Sequence, residues 1–413
     1  MANTLITPDW ITKTSARLLL NNLKFAGNVN RNYDDQYVQS GAKVGYTVKA
    51  RLPQRFRTTK GQAFQQQNIT DSFVPVTLTD QANVAISFSS ASMTMEVDSY
   101  RERYVKPASE QLANTIDYDG LSRCFLDVYH FTGTPGTTPT SNLPYLQAVA
   151  ILADAGAPVD GLNAILTPQS MITLANANQT LFNPARYQSD AFRKGQFAGE
   201  ALGIGAWYQD QNVARFTTGS FTTASPEVLN GGQTGATLIV DGAASGATVI
   251  PQGSTFTVEG VYEVNPQNYQ STGRLQQFVV TADIVDATGT LTIPISPSII
   301  TSGQNQTVTA SPANNADVLF TGATAASSGV LTATSTAQNL VYHEDAFTMV
   351  MADLEMPEGG AMASRVSNNQ LGVALRFAKQ WNIQTDQNAA RLDCLYGWKT
   401  IRPQLAVRVY GGA

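Results

Sequence analysis

The sequence predicts an α+β protein, rich in strands, with a separate all-β domain inserted late in the chain. Three observations carry this expectation. Residues 43–51 and 72–89 alternate apolar and polar side chains with a period of two. Residues 97–131 carry apolar side chains at helical spacing. Residues 226–340 hold seven acids, a single base (Arg274), and no Lys, His, Cys, Trp or Met.

Taken in order, Thr7 and Pro8 make an N-cap and first helical position, so a helix is expected from Pro8 to about Asn22. Ile11, Ala16, Leu18 and Leu19 are among its apolar members. The polar stretch that follows reads as part of an N-terminal arm, residues 1–42. Next come two strands, 43–51 and 72–89, expected to fold back on each other as a ribbon over residues 43–89. A two-stranded ribbon is marginal in water unless its apolar face is covered, and a neighbouring subunit is the expected cover.

In "VDSYRERYVKPASEQLANTIDYDG", Tyr100, Tyr104, Ala108, Leu112 and Ile116 step by four along one helix face. A helix of about thirty residues would be long for a globular domain, and Pro107 must kink it or begin its main part. Residues 142–216 alternate helix and strand: "LPYLQAVAILADAG" is a helix stopped at Gly156, "LNAIL" a buried strand, and Thr167-Pro168 the start of a helix to about Asn176. Short strands such as "ATLIV", "STFTVEGVYEV" and "GTLTIPI" fill 226–340, separated by turn residues, so a sandwich or barrel is expected there. From 341 to 413 the earlier composition returns. Its last strand, with Leu405, Val407 and Val409 on one face, is expected to complete a sheet begun before the insertion.

Of the 413 residues, 43% are apolar and only 14% charged, well below the usual quarter. Uncharged polar side chains are cheaper to desolvate than ions, so such a surface suits an assembly protein. A net charge of -5 argues against a dedicated nucleic-acid binder. Cys124 and Cys394 read as two buried thiols. The first residues lack a signal-peptide pattern, and no apolar run reaches membrane-spanning length.

Between Gln36 and Thr70 there is no Asp or Glu, while Lys43, Lys49, Arg51, Arg55, Arg57 and Lys60 lie in that window. Phe56 and Phe64 interleave, as a nucleic-acid surface would want. A solvated loop and an inter-subunit contact through Lys49, Arg51, Arg55, Arg57 and Lys60 are the other readings, and the contact is favoured.

No catalytic constellation emerges. His130 and His343 have no metal-ligand spacing to the cysteines. "VYHED" reads as a solvated turn or a capped helix start. Asp117 and Asp119 in "DYDG" are two apart, so they do not face each other on a helix and read as a solvated face. "GTPGTTP" lacks the Gly-Lys-Ser/Thr end of a phosphate loop, and "GIGAW" the third glycine of a dinucleotide fingerprint. No enzyme, cofactor or metal is expected.

The order of these parts, with "TLFNPARYQSDAFRKGQFAGEALGIGAWYQDQNVARFTTG" (180–219) and "FTVEGVYEVNPQNYQSTGRLQQFVVT" (256–281), resembles tailed-phage major capsid proteins with the HK-ninety-seven-type fold. More narrowly, it resembles the P-twenty-two-type coat family, whose members carry an inserted β-barrel domain. The resemblance implies an N-terminal arm (1–42), an extended loop overlapping a neighbour (43–89) and a spine helix with peripheral domain (90–141). An axial domain (142–225), an outer inserted domain (226–340) and a return to axial and peripheral domains (341–413) would follow. It further implies self-assembly into hexamers and pentamers of an icosahedral shell in the bacterial host cytoplasm. A scaffolding protein, a portal protein and decoration proteins would be partners, and packaged double-stranded DNA would be touched non-specifically. Two other classes remain beside it: an extracellular β-rich adhesin and a nucleic-acid-binding protein using the basic ribbon.

Overall fold

The computed structural model describes residues 8–31, 47–58, 60–61, 66–67, 69, 72–89, 105–158, 160–177, 202–220, 226–242, 249–285, 289–322, 333–357, 362–368 and 373–412. The chain divides into two compact units. The first draws on Met1–Arg51, Phe73–Leu121 and Phe347–Ile401, the second on Leu52–Ser72, Ser122–Ala346 and Arg402–Ala413.

The first unit is built on a five-stranded antiparallel sheet. Its longest strand, Gln387–Thr400, pairs with Phe347–Ala352, Val373–Asn382 and Asp80–Ser89, and Met362–Asn368 extends the sheet beyond Val373–Asn382. The helix Pro8–Asn22 packs on this sheet, burying Ile11, Ala16 and Leu19. Thr7, its expected cap, lies outside the described residues. The helix Lys106–Cys124 carries Pro107 in its first turn, and Val105 just before it is π-helical. Ala108, Leu112 and Ile116 are buried as the stripe requires. The upstream half of the expected long helix, including Tyr100 and Tyr104, lies outside the described residues.

Two expectations differ from the structure. Residues 72–89 are not one ribbon strand. Thr47–Arg51 pairs only with Phe73–Thr77, while Asp80–Ser89 joins the five-stranded sheet through Gln387–Thr400. The break falls at Leu78-Thr79, where Leu78 turns into the core. The apolar face of the ribbon is also covered by its own chain, not by another subunit. Val48, Ala50, Val76 and Leu78 are buried, and the backbone of Thr77 crosses Gly397 so closely that a Cβ there would meet the Thr77 carbonyl oxygen at 2.0 Å. Only glycine in the long strand permits that approach. Residues 23–31, part of the expected arm, are irregular, with Leu23, Phe25, Ala26 and Val29 buried.

The second unit holds a six-stranded sheet and a barrel. In the sheet, His130–Thr132 runs parallel to Ala406–Tyr410, which pairs with Ser335–His343; Leu162–Leu166 and then Ala206–Gln209 follow. The last strand therefore joins strands that precede residue 226. Helices Leu143–Asp154 and Pro168–Ala177 cover it, with Tyr145, Leu152, Met171 and Leu174 fully buried among Val407 and Val409. The first ends at Gly156, whose φ of +77° closes the terminal turn. The second is capped by Thr167, whose hydroxyl accepts the Ser170 N–H at 3.2 Å.

Six strands between Glu227 and Phe320 follow the order Val318–Phe320, Thr255–Val264, Ser271–Val280, Leu291–Ile299, Gly235–Asp241, Glu227–Val228. The ends of this order meet. Glu227 bridges Asp317, the Val228 N–H donates to the Ala316 carbonyl at 3.0 Å, and the Val318 N–H to that of Pro226 at 2.9 Å. The described strands thus close into a barrel. Its interior is Leu238, Val240, Phe256, Val258, Phe278 and Ile293 with their neighbours, all buried. Strand Ser335–His343 lies partly inside the 226–340 range expected for the insertion, yet it pairs with Ala406–Tyr410 and Arg215–Thr217. Its buried residues, from Thr336 on, belong to the sheet and not to the barrel.

Candidate assembly surface

The ribbon presents two faces because its strands alternate. Val48 and Ala50 point inward, and Thr47, Lys49 and Arg51 point out. Opposite them Phe73 is 50% exposed, and the Lys49 ammonium sits 4.5 Å from the centre of its ring, a cation–π pair. Among the described residues the ribbon is a two-stranded sheet.

Beyond Arg51 the tip belongs to the second unit. Gln67 clasps Arg57: its amide oxygen accepts the Arg57 N–H at 2.9 Å and its amide nitrogen donates to the Arg57 carbonyl. The Tyr269 hydroxyl reaches the Phe56 carbonyl at 3.3 Å, and the Arg57 guanidinium lies 5.2 Å from the Tyr269 ring centre. Arg55 is half-buried and lines a cleft of about 150 Å³ with Tyr129, His130, Glu263 and Gln404. Lys60 is exposed. Lys49 and Arg51 share the ribbon's outer face, Arg55 and Arg57 are engaged at the barrel, and Lys60 points to solvent.

Two residues of the cleft, buried His130 and Glu263, belong to a polar network that sequence reasoning missed, with Arg274 and Asp154 partly exposed. Arg274 Nη2 lies 3.0 Å from Glu263 Oε2 and 3.0 Å from Asp154 Oδ2. Burial raises the Glu263 pKa, and the Arg274 charge pulls it back in part. His130 Nε2 is 3.8 Å from Glu263 Oε1, and burial pushes the His130 pKa down to about 3 despite the Gln277 side chain beside it. Gln277 also fastens the barrel to the sheet. It accepts the Phe131 N–H and donates to the Phe131 carbonyl, both at 2.9 Å, as a strand neighbour would. Buried Arg408 donates to the Gly253 carbonyl at 2.8 Å, and the Tyr410 and Thr255 hydroxyls meet at 2.5 Å.

Two carboxylates expected on a solvated face are placed otherwise. Asp117 is 1% exposed and accepts three backbone N–H groups, from Lys24, Phe25 and Ala26. Asp119 accepts the Tyr396 hydroxyl at 2.5 Å. The signal was present: Asp117 stands four residues from both Ala113 and Leu121, which are buried. His343 is also buried, not in a solvated turn, and its Nδ1 accepts the Asp345 N–H at the start of the short helix Glu344–Ala346. Cys124 and Cys394 are buried and form no disulfide. Among the described residues no three His, Cys, Asp or Glu side chains are grouped to hold a metal, and no helix is long and apolar enough to cross a membrane.

The family model described as P22 coat protein, gene protein 5, matches residues 18–411. The chain belongs to the P22 coat protein family. It is a phage major capsid protein, a structural component of the virion and not an enzyme. That membership sets aside the adhesin and nucleic-acid-binder readings. No curated protein matches the chain. Among solved structures, a chain titled Mycobacterium phage Che8 is 12% identical with a TM-score of 0.47, over 94% of this chain and 90% of that one. The capsid of Ralstonia phage GP4 is 10% identical with a TM-score of 0.46, over 95% and 90%. The I-domain of the CUS-3 coat protein is 22% identical over 24% of this chain and 96% of its own, with a TM-score of 0.18.

Proposed function

We propose that this coat protein builds an icosahedral shell of hexamers and pentamers around double-stranded DNA, through a scaffold-assisted precursor that expands. The arrangement intended is the HK-ninety-seven type, with arm, extended loop, spine helix, peripheral and axial domains, and the barrel as the inserted domain. Assembly takes place in the host cytoplasm, with scaffolding, portal and decoration proteins as partners and non-specific contact with the packaged DNA.

The observation that carries the reading is the ribbon. Its inner face is satisfied within the chain, while its outer face keeps Lys49, Arg51 and half-exposed Phe73. A cationic, aromatic strand pair of this kind fits an acidic surface on a second copy. Each contact is modest, and many copies add avidity.

Electron microscopy of the subunit co-expressed with its scaffold tests this, using wild type and a Lys49→Ser, Arg51→Ser, Lys60→Ser variant. Wild type is expected to give uniform closed shells and the variant soluble folded subunits or aberrant particles. Normal shells from the variant, with loss of salt-sensitive DNA binding, would instead make the basic segment a nucleic-acid contact.

A further inference from the structure

Tyr269 holds a backbone conformation that tyrosine disfavours. In the turn between Thr255–Val264 and Ser271–Val280 its φ is +57°, in the left-handed region where glycine and asparagine are at ease. The hydrogen bonds of the turn do not use the tyrosine side chain. Asn265 Oδ1 accepts the N–H groups of Gln267 and Asn268, Asn268 Oδ1 accepts that of Gln270, and the Tyr269 N–H donates to the Asn265 carbonyl. Strain kept where the turn does not need it points to a role for the side chain.

That side chain holds the ribbon tip. Its single hydroxyl hydrogen is shared between the Gln304 carbonyl at 3.0 Å and the Phe56 carbonyl at 3.3 Å. Its ring lies under the Arg57 guanidinium, and two residues earlier Arg55 enters the cleft beside Glu263. The grip is light: Phe56 is 63% exposed and Arg57 is exposed, so water competes for both contacts. A contact of this strength orders the tip without fixing it.

We propose that the Tyr269 turn is a docking seat that latches the ribbon tip onto its own barrel before assembly and releases it to a second copy of this chain as the shell forms. This rests on the reading of the ribbon as an inter-subunit element. While latched, Arg57 lies over the Tyr269 ring and Arg55 lines the cleft of its own subunit, so opening of the seat precedes their use between subunits.

The test uses the full-length unassembled subunit. Tyr269→Asn removes ring and hydroxyl and installs a residue that tolerates the positive φ; Tyr269→Phe removes the hydroxyl alone. Trypsin cutting after Arg55 and Arg57 reads the open population of the tip. The expected result for Tyr269→Asn is cleavage about fivefold faster than wild type, in line with loss of one exposed cation–π contact and one shared hydrogen bond. Tyr269→Phe should show a smaller rise. The Tyr269→Asn barrel should melt no lower than wild type, and light scattering should show a shorter assembly lag. Cleavage at the wild-type rate in both variants would overturn the latch. Faster cleavage with an unchanged lag would overturn its role in assembly. If Tyr269→Asn lowers barrel melting, the Phe variant decides on the same two readouts. Lys49→Ser, Arg51→Ser separates this from the parent reading: cleavage stays at the wild-type rate, and normal assembly would sink the ribbon contact while leaving the Tyr269 result standing.

Discussion

Replacing Asp117 should unfasten the chain that follows the first helix. Its Oδ2 accepts the Lys24 N–H at 2.7 Å and that of Phe25 at 3.3 Å, and its Oδ1 accepts that of Ala26 at 3.0 Å. These groups lie just past Pro8–Asn22, in a segment with Phe25 and Ala26 fully buried. Asp117→Ala strips the carboxylate acceptor from three donors. A buried donor left unsatisfied costs about 1–3 kcal/mol, and the 3.3 Å bond is the weakest, so the sum is about 3–6 kcal/mol. Asp117→Asn keeps one oxygen for two donors but turns an NH₂ toward the third and loses the charge assistance. A cost of about 2–3 kcal/mol is expected. Urea unfolding of the unassembled subunit, followed by tryptophan fluorescence, measures both. Trp398 stacks on Phe25 at a centroid distance of 5.0 Å, so its emission reports on this segment. A cost under about 1 kcal/mol for Asp117→Ala, with unchanged Trp398 emission, would refute the reasoning by showing that the donors find other acceptors.

Three further perturbations follow from the same structure. Gly397→Ala places a Cβ 2.0 Å from the Thr77 carbonyl and should cost about 1–3 kcal/mol as the ribbon lifts from the long strand; hydrogen exchange at Val76 and Leu78 should quicken, and unchanged protection would contradict the close crossing. His130 is held neutral, its pKa down at about 3 against an ordinary 6.5, so its contribution is complete above about pH 6.5 and is lost as pH falls toward 3, about 2 kcal/mol by pH 5. The raised pKa of Glu263 acts oppositely and offsets part of this; His130→Gln should therefore show a smaller drop in melting temperature from pH 7 to pH 5 than wild type, and equal drops would refute it. Gln277→Ala removes both bonds to Phe131 and should lower stability by about 1–3 kcal/mol, read by urea unfolding with Phe131 exchange as the local probe.

Elements with a strong period were legible in the sequence, and tertiary geometry was not. Pro8–Asn22, Leu162–Leu166 and the barrel strands announce themselves through caps, alternation and turn residues. The division of 72–89 at Leu78 did not, because both halves alternate and only the partner differs. The cover of the ribbon was misread for a related reason. Gly397 stands between Tyr396 and Trp398 in a strand, and a lone glycine there gives no hint of what crosses it. Among the basic residues, the sequence marks Lys49 and Arg51 as outward by alternation but says nothing of Tyr269, which meets Arg57 across more than two hundred residues. Asp117 was readable in principle from its spacing to Ala113 and Leu121, and was lost because only its distance to Asp119 was weighed.

The strands flanking the barrel carry a consequence of their own. Arg215–Thr217 pairs with Ser335–Ala337, and the Thr218 N–H donates to the Thr334 carbonyl at 3.0 Å. The chain therefore leaves the sheet and returns to it through neighbouring rungs of one antiparallel ladder. Along the backbone the excursion is one long hairpin loop, which Gln277, Gly253 and Thr255 also tie to the sheet at Phe131, Arg408 and Tyr410. Loop-closure entropy grows only with the logarithm of loop length, so doubling the excursion adds about 0.6 kcal/mol. Such a junction is a splice point: a barrel from another coat protein, a foreign domain or a short turn could be grafted between residues 218 and 334 by matching two strand ends, and the same two ends are natural places to reopen the chain in a circular permutant.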